Sequence, residues 1–319
     1  MKKTKVFTFP LVILLALCLL ITACSPQPDT VAPSTLSPDE YGILEILLFD
    51  VGSADAILLT TENHALMIDT GERRYGQMIV DELRSREIDA LDYMIITHFD
   101  KDHVGGAAEI IGSVDVRAVV VPNYRRDSKN YLRFAAAMTA AGIEPTVLEK
   151  WNPLEFTLDG VVFTTYPSEL DFYAYNIGQD GEDAEDAEEA RYHTGDSEDT
   201  DGPNANNFSL VTSVSHGNNH FLFTGDSKAR RIREMLSMPE IVETDYDFLK
   251  VPHHGEHNRR STLFIETISP SHAVITTSAD AAPDRQTMDA LNRAGAQVFI
   301  TAGGNVHCVS DGHILILTQ

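Results

Sequence analysis

The segment Thr97-His98-Phe99-Asp100-Lys101-Asp102-His103-Val104-Gly105-Gly106 constrains this chain more than any other, because it puts four metal-binding side chains into six residues. It follows Tyr93-Met94-Ile95-Ile96, an apolar run that reads as a short buried strand. The four side chains therefore fall in the loop leaving that strand's C-terminal end, where open α/β sheets carry their sites. Neutral imidazoles together with carboxylates suit zinc or manganese, and their closeness lets two ions share one cluster. No thiolate takes part, which excludes a structural zinc finger.

The start of the chain has a different character. Met1-Lys2-Lys3-Thr4-Lys5 followed by the apolar run from Val6 to Ile21 has the basic start and hydrophobic core of an export signal. It ends in Leu20-Ile21-Thr22-Ala23-Cys24, which resembles the lipobox of bacterial lipoproteins. Residues 1–24 are thus expected to be a lipoprotein signal peptide, with Cys24 lipidated and the protein held on the extracellular face of the cell membrane. An ordinary signal peptide, or an uncleaved anchor helix with an incidental Cys, is the competing reading. Residues 25–40 are rich in Pro, Ser, Thr and Asp without apolar periodicity, as expected of a disordered tether. Residues 41–319 then suffice for one large domain. Cys308 is the one cysteine left in that domain, so no intramolecular disulfide can form there, and it is expected as a packing residue.

The net charge of −24 owes much to residues 180–201, where Asp and Glu crowd together with Gly, Ala and Ser. This reads as a solvated acidic insertion spanning about 177–205. An acidic surface argues against broad nucleic-acid binding through basic patches. Nothing in the sequence indicates a protein partner.

Apolar periodicity predicts strands at 43–51, 56–60, 65–68, 93–96, 116–121, 145–148, 154–158 and 161–165 in a first stretch. Further strands are predicted at 209–214, 220–224, 248–251, 273–277, 298–300 and 314–317. Helices are predicted at 77–86, 107–111, 131–141, 229–236, 261–268 and 285–294. Strands precede helices in each half, which implies two mixed sheets face to face with helices outside: an α/β, four-layer αββα sandwich.

Between roughly Leu44 and Leu317 the pattern resembles the metallo-β-lactamase superfamily, and within it the extracellular hydrolase domain of ComEC-type competence proteins. Phe49-Asp50-Val51-Gly52 looks like that group's opening motif, with Ser53-Ala54 where Gln-Gly is usual, and with Asp55-Ala56 returning to the pattern. Asp69, in Ile68-Asp69-Thr70-Gly71, matches the Asp that supports the metal loop by hydrogen bonds without binding metal. His98, Asp100, Asp102 and His103 match the second motif, Asp100 standing where most of the superfamily has His. The resemblance implies that His98 and Asp100 face one divalent ion and that Asp102 and His103 face another, with zinc expected and manganese the alternative. Asp226, in Phe223-Thr224-Gly225-Asp226, matches the bridging carboxylate.

Lys250-Val251-Pro252-His253-His254-Gly255 matches the closing motif, Lys-x-x-His-His-Gly. There His254 is favoured as metal ligand and His253 as a catalytic residue on the substrate side, the reverse assignment remaining open. Asn207, in Asn206-Asn207-Phe208, occupies a place where other branches have His; it is a ligand, a substrate contact or a turn residue. Where a further His-Pro pair is usual, Ala282-Pro283-Asp284 keeps the Pro alone.

The implied activity is hydrolysis by metal-activated water, with Asp102 and His253 as the catalytic pair and a small-molecule or phosphodiester substrate. Arg125-Arg126 or Arg259-Arg260 offer local charge for a phosphate. A surface binding protein that kept the fold with weak catalysis, or a hydrolase of another ester or a lactam, are the competing functions.

Overall fold

The computed structural model describes residues 40–170 and 204–319. The export segment, Cys24, the tether as far as residue 39 and the acidic insertion as far as residue 203 lie outside the described residues.

One sheet contains β1 (Leu44–Leu48), β2 (Ala56–Thr60), β3 (Ala65–Thr70), β5 (Tyr93–Ile95), β7 (Val119–Pro122), β8 (Thr146–Leu148), β16 (Val306–Ser310) and β17 (Leu315–Thr318). Its order is β17-β16-β1-β2-β3-β5-β7-β8. The second contains β9 (Leu154–Leu158), β10 (Val161–Tyr166), β11 (Val211–His216), β12 (Asn219–Phe223), β13 (Phe248–Lys250), β14 (His272–Ile275) and β15 (Gln297–Ile300), ordered β15-β14-β13-β12-β11-β10-β9. A two-stranded ribbon pairs β4 (Ala90–Leu91) with β6 (Asp115–Val116).

Alternation along the strands sorts the side chains into layers. Ile46, Leu48, Ile57 and Leu59 join Val214, Phe221, Phe223 and Phe248 in one cluster between the sheets. Their neighbours Leu47 and Leu58 face the other way. There they meet Ile79, Val80 and Leu83 of α1 (Gly76–Ser85), Ile110 of α3 (Ala107–Ile111) and Phe134 of α4 (Lys129–Ala141). The second sheet's outer face is covered by Ile232 and Met235 of α5 (Ala229–Met235) and Ile241 of α6 (Pro239–Val242). Phe264 and Ile265 of α7 (Ser261–Ile268) and Leu291 of α8 (Arg285–Ala294) complete that cover. Each fully buried Phe or Leu in these clusters contributes about 1.5–3 kcal/mol, which is what holds the four-layer αββα sandwich together.

Local signals set several boundaries. Ser128 Oγ accepts a bond from the Tyr131 N–H at 3.3 Å and caps α4, which ends at left-handed Gly142. The first strand is shorter than the apolar run predicts, because the Val51 N–H donates to the Phe49 carbonyl and turns the chain toward the site. The run at 116–121 divides between β6 and β7. Strand β16 is not among the predicted strands; it pairs antiparallel with β1, Cys308 opposite Ile46. Cys308 is fully buried there, where burial pushes its thiol pKa above the ordinary range.

Candidate metal centre

The parallel pairings β3 with β5, β12 with β13 and β13 with β14 align the C-terminal ends of these strands. Each end carries a polar group of the site. Asp69 lies near the end of β3, and Thr97 to His103 leave β5 through α2 (Lys101–Val104). Asp226 follows β12, His253 and His254 follow β13, and Thr276 follows β14. Backbone bonds draw the loops together: Leu210 N–H to the Thr97 carbonyl (2.9 Å), His253 N–H to the Gly225 carbonyl (3.2 Å) and Asp55 N–H to the Asp102 carbonyl (3.1 Å).

The backbone is strained where the closing motif turns. His253 and His254 have φ of 47° and 52°, and Gly255 continues at 85°. Left-handed backbone at a non-glycine residue costs on the order of 1–3 kcal/mol. It persists here because neighbours fix both rings. His253 Nδ1 lies 2.8 Å from Glu256 Oε2, and His254 Nδ1 lies 2.7 Å from the Thr276 carbonyl. At Gly255 a side chain would also meet Pro283, its Cβ 2.7 Å from that of the proline.

Three histidines have their tautomers set by these contacts. A carbonyl can only accept, so His254 Nδ1 carries a proton and donates it to Thr276. Asp69 Oδ2 accepts in the same way from His103 Nδ1 at 2.7 Å. Asp69 also accepts from the Thr97 N–H (2.8 Å) and the Thr97 hydroxyl (2.6 Å). With its proton committed, Thr97 Oγ1 accepts from His98 Nδ1 at 3.0 Å. In the neutral rings that bind metal, these contacts leave the lone pairs of His98, His103 and His254 on Nε2; all three atoms are buried and none has a hydrogen-bond partner.

Four of the expected ligands converge. Asp226 Oδ2 is 3.1 Å from His103 Nε2 and 3.2 Å from His254 Nε2. Asp102 Oδ2 is 3.8 Å and 3.5 Å from the same two nitrogens. Tetrahedral zinc, with bonds of about 2.0–2.1 Å, separates its ligand atoms by roughly 3.3 Å. The donor set and its spacing therefore fit a divalent ion held by Asp102, His103, Asp226 and His254. His98 Nε2 and Asp100 Oδ2 form a second, smaller pair 3.6 Å apart. Arg126 Nη2 stands 3.4 Å from the other oxygen of Asp100.

Two further positions lie differently. The Asn207 side-chain oxygen accepts from the backbone N–H groups of Arg230 and Arg231 (3.2 and 3.4 Å), capping the start of α5. His253 Nε2 is 3.9 Å from Asp226 Oδ2, farther than His254, and its side chain stays 15% exposed.

The electrostatics follow from burial set against mutual attraction. Burial opposes charge on Asp226, but His103 and His254 more than offset it and hold the carboxyl well below its usual range. Burial likewise opposes an imidazolium at His254, yet Asp226 and Asp102 push it up to about 10. His103 is raised well above its ordinary value, burial being outweighed by Asp226, Asp69 and Asp102. His98 goes the other way, to about 3, through burial and the neighbouring His103.

Sequence reasoning quoted Asp55 and Lys250 within the opening and closing motifs but gave neither a role. Lys250 is fully buried and its ammonium lies 2.5 Å from Asp55 Oδ2, 3.0 Å from the Gly225 carbonyl and 3.5 Å from Asp226 Oδ1. A lysine closing an apolar strand, and an aspartate opening one, were the signals available. A cavity of about 700 Å³ around Thr60, Asn63 and His64 lies at the end of β3 remote from Asp69 and includes none of the site residues.

Comparison with known proteins agrees with this arrangement. Residues 49–275 match the family model of the Metallo-beta-lactamase superfamily. ComE operon protein 3 of Bacillus subtilis is 21% identical over 278 residues, covering 81% of this chain and 32% of that protein. Recombination protein 2 of Haemophilus influenzae is 24% identical over 230 residues, covering 71% of this chain and 23% of its own length. The chain thus spans a third or less of these curated relatives. The crystal structure of Tm1679, a metal-dependent hydrolase of the beta-lactamase superfamily, superposes with a TM-score of 0.51 at 12% identity, covering 82% of this chain and 98% of that one. With the family model spanning most of both sheets and the converging His and Asp donors at their shared edge, the chain belongs to the metallo-beta-lactamase superfamily of metal-dependent hydrolases.

Proposed function

We propose that this protein is an exported, lipid-anchored hydrolase that cleaves a phosphodiester with the help of two divalent ions, zinc foremost. The observation that carries the hydrolase reading is the convergence of His103 Nε2 and His254 Nε2, buried and without hydrogen-bond partners, on Asp226 and Asp102. An ion bound there supplies Lewis acidity toward the scissile group and acidifies water. The remaining work belongs to the chain. Asp102, partly exposed, turns a carboxylate toward the site and can orient the attacking water. His253 can donate a proton to the leaving group from Nε2, while Glu256 holds the ring in place at Nδ1.

A phosphodiester is favoured over a neutral ester or lactam by local positive charge on an otherwise acidic chain. Arg126 flanks Asp100, and Arg73 and Lys101, with Arg74 paired to Glu72 at 3.1 Å, line a cavity of about 420 Å³ beside the metal loop. Such groups suit the charge of a phosphoryl oxygen. The export reading is supported by the basic start, apolar run and Cys24 of the leader, whereas among the described residues no helix is long and apolar enough to cross a membrane.

The test is turnover of a bis-aryl phosphodiester by metal-replete protein, with activity lost in Asp102→Ala and His254→Ala. Metal-replete wild type that turns over no phosphodiester, nucleic acid, choline ester or lactam would leave a binding protein as the surviving reading. Acyl labelling in cells that depends on Cys24, and disappears in Cys24→Ser, tests the anchor.

A further inference from the structure

The buried pair of Asp55 and Lys250 stands behind the metal-binding atoms and is explained neither by the fold nor by the proposed chemistry. Both side chains are almost fully buried. Bringing two charges out of water is costly, and replacing such a pair by apolar residues is often neutral or stabilising. Their contacts indicate another purpose. Asp55 Oδ1 accepts the Thr276 hydroxyl at 2.6 Å; the Thr276 carbonyl receives the Nδ1 proton of His254 at 2.7 Å, and the Thr276 hydroxyl oxygen lies 3.2 Å from the same nitrogen. Asp55 Oδ2 holds the Lys250 ammonium, which also bonds the Gly225 carbonyl beside Asp226 and faces Asp226 Oδ1. The Asp55 N–H is bonded to the Asp102 carbonyl, and its own carbonyl accepts the Gly71 N–H at 2.7 Å.

We propose that Asp55 and Lys250 are positioning residues, a buried clasp that aims His254 Nε2 and Asp226 Oδ2 at a shared divalent ion. Through Thr276, Asp55 sets the ring plane of His254; through Lys250, it turns one oxygen of Asp226 away from the ion and leaves the other for it. His103 has its own carboxylate in Asp69, so each imidazole of the four-donor set is oriented by a different buried aspartate. This inference rests on the reading of the site as a metal centre and is independent of the substrate.

The test uses the full chain, stripped of metal and titrated with Co²⁺ against a chromophoric chelator, while its visible absorption is recorded. Thr276→Val removes the hydroxyl between Asp55 and His254 and keeps both charges. Asp55→Asn/Lys250→Met removes the pair with no change in net charge. Loss of an outer group that orients a ligand typically costs 10–100-fold in metal affinity. The double variant is expected in that range, with a displaced cobalt absorption band, and Thr276→Val near its lower end. A Thr276→Val protein with wild-type affinity and spectrum overturns the clasp, whether or not the double variant folds. Wild type that takes up no cobalt overturns the metal reading beneath it. Wild type that binds cobalt yet hydrolyses nothing overturns only the proposed reaction.

Discussion

Asp69 illustrates how one side chain can be indispensable without touching a reacting atom. Fully buried, it accepts bonds from the Thr97 backbone, the Thr97 hydroxyl and His103. Asp69→Asn cannot accept at every one of these contacts, since its amide nitrogen only donates. The variant is expected to bind zinc 10–100-fold more weakly while keeping its fold, read by competition against a chelator and by circular dichroism. Protonation gives a second expectation at this scale. With His254 pushed up to about 10 by Asp226 and Asp102 against the effect of burial, and His103 raised for the same reason, both rings carry an extra proton in the metal-free protein at neutral pH. Ligation through Nε2 must expel those protons, so affinity rises with pH through neutrality and falls as the solution becomes acidic. Calorimetry in buffers of different ionisation enthalpy should register release of about two protons per ion; a heat that does not vary with buffer at pH 7 contradicts the assignment. The ligand loop was legible because four donors stand within one short segment. Asp55 and Lys250 were not, because their partnership arises only when the start of β2 and the end of β13 meet, and neither neighbourhood in sequence announces it.

Among elements, the strands between the two sheets carry the stability. Phe221 in β12 is fully buried among Phe248, Val214 and Phe163. Phe221→Ala should cost about 3–5 kcal/mol in urea unfolding. Activity per folded molecule should stay within about twofold, because Phe221 supplies no hydrogen bond to the metal-binding side chains; a full loss of activity in folded protein would mean the core and the site are mechanically linked. Helices α7 and α8 match their predicted spans because apolar spacing and flanking breakers agree. β16 escaped the reading because Val306-His307-Cys308-Val309-Ser310 mixes polar residues into a short run, and it becomes a strand by pairing with β1 from the far end of the chain. Asn207 escaped in a different sense. Its place in the chain suggested a ligand as much as a turn, and only the arrival of α5 gives its oxygen two backbone donors.

For the whole molecule, the two sheets meet at an edge to which each contributes metal-binding side chains. His98 to His103 come from one, Asp226 and His254 from the other. Metal should therefore tie the halves together, and binding at a hundred times Kd should add about 2.7 kcal/mol of stability. A thermal shift that appears on adding zinc and vanishes with chelator checks this; equal melting temperatures with and without bound metal would show the sheets closing independently of it. The connection between β10 and β11 lies partly outside the described residues, and its acidic composition predicts that it can be shortened. Tyr166 and Val211 face each other in the ladder, so the residues between them join neighbouring antiparallel strands. Replacing residues 177–203 with a short Gly-Ser loop should leave melting temperature and metal affinity nearly unchanged.

The pairing of β16 with β1 has a consequence for how the chain comes into being. Until β16 is available, β1 has a bare flank, with unsatisfied amides and carbonyls open to any passing strand. A polypeptide made from its N-terminus thus cannot seal β1 until residues 306–310 have emerged. The interval invites chaperone capture, and a stop codon placed before Val306 should yield aggregates rather than a smaller working protein.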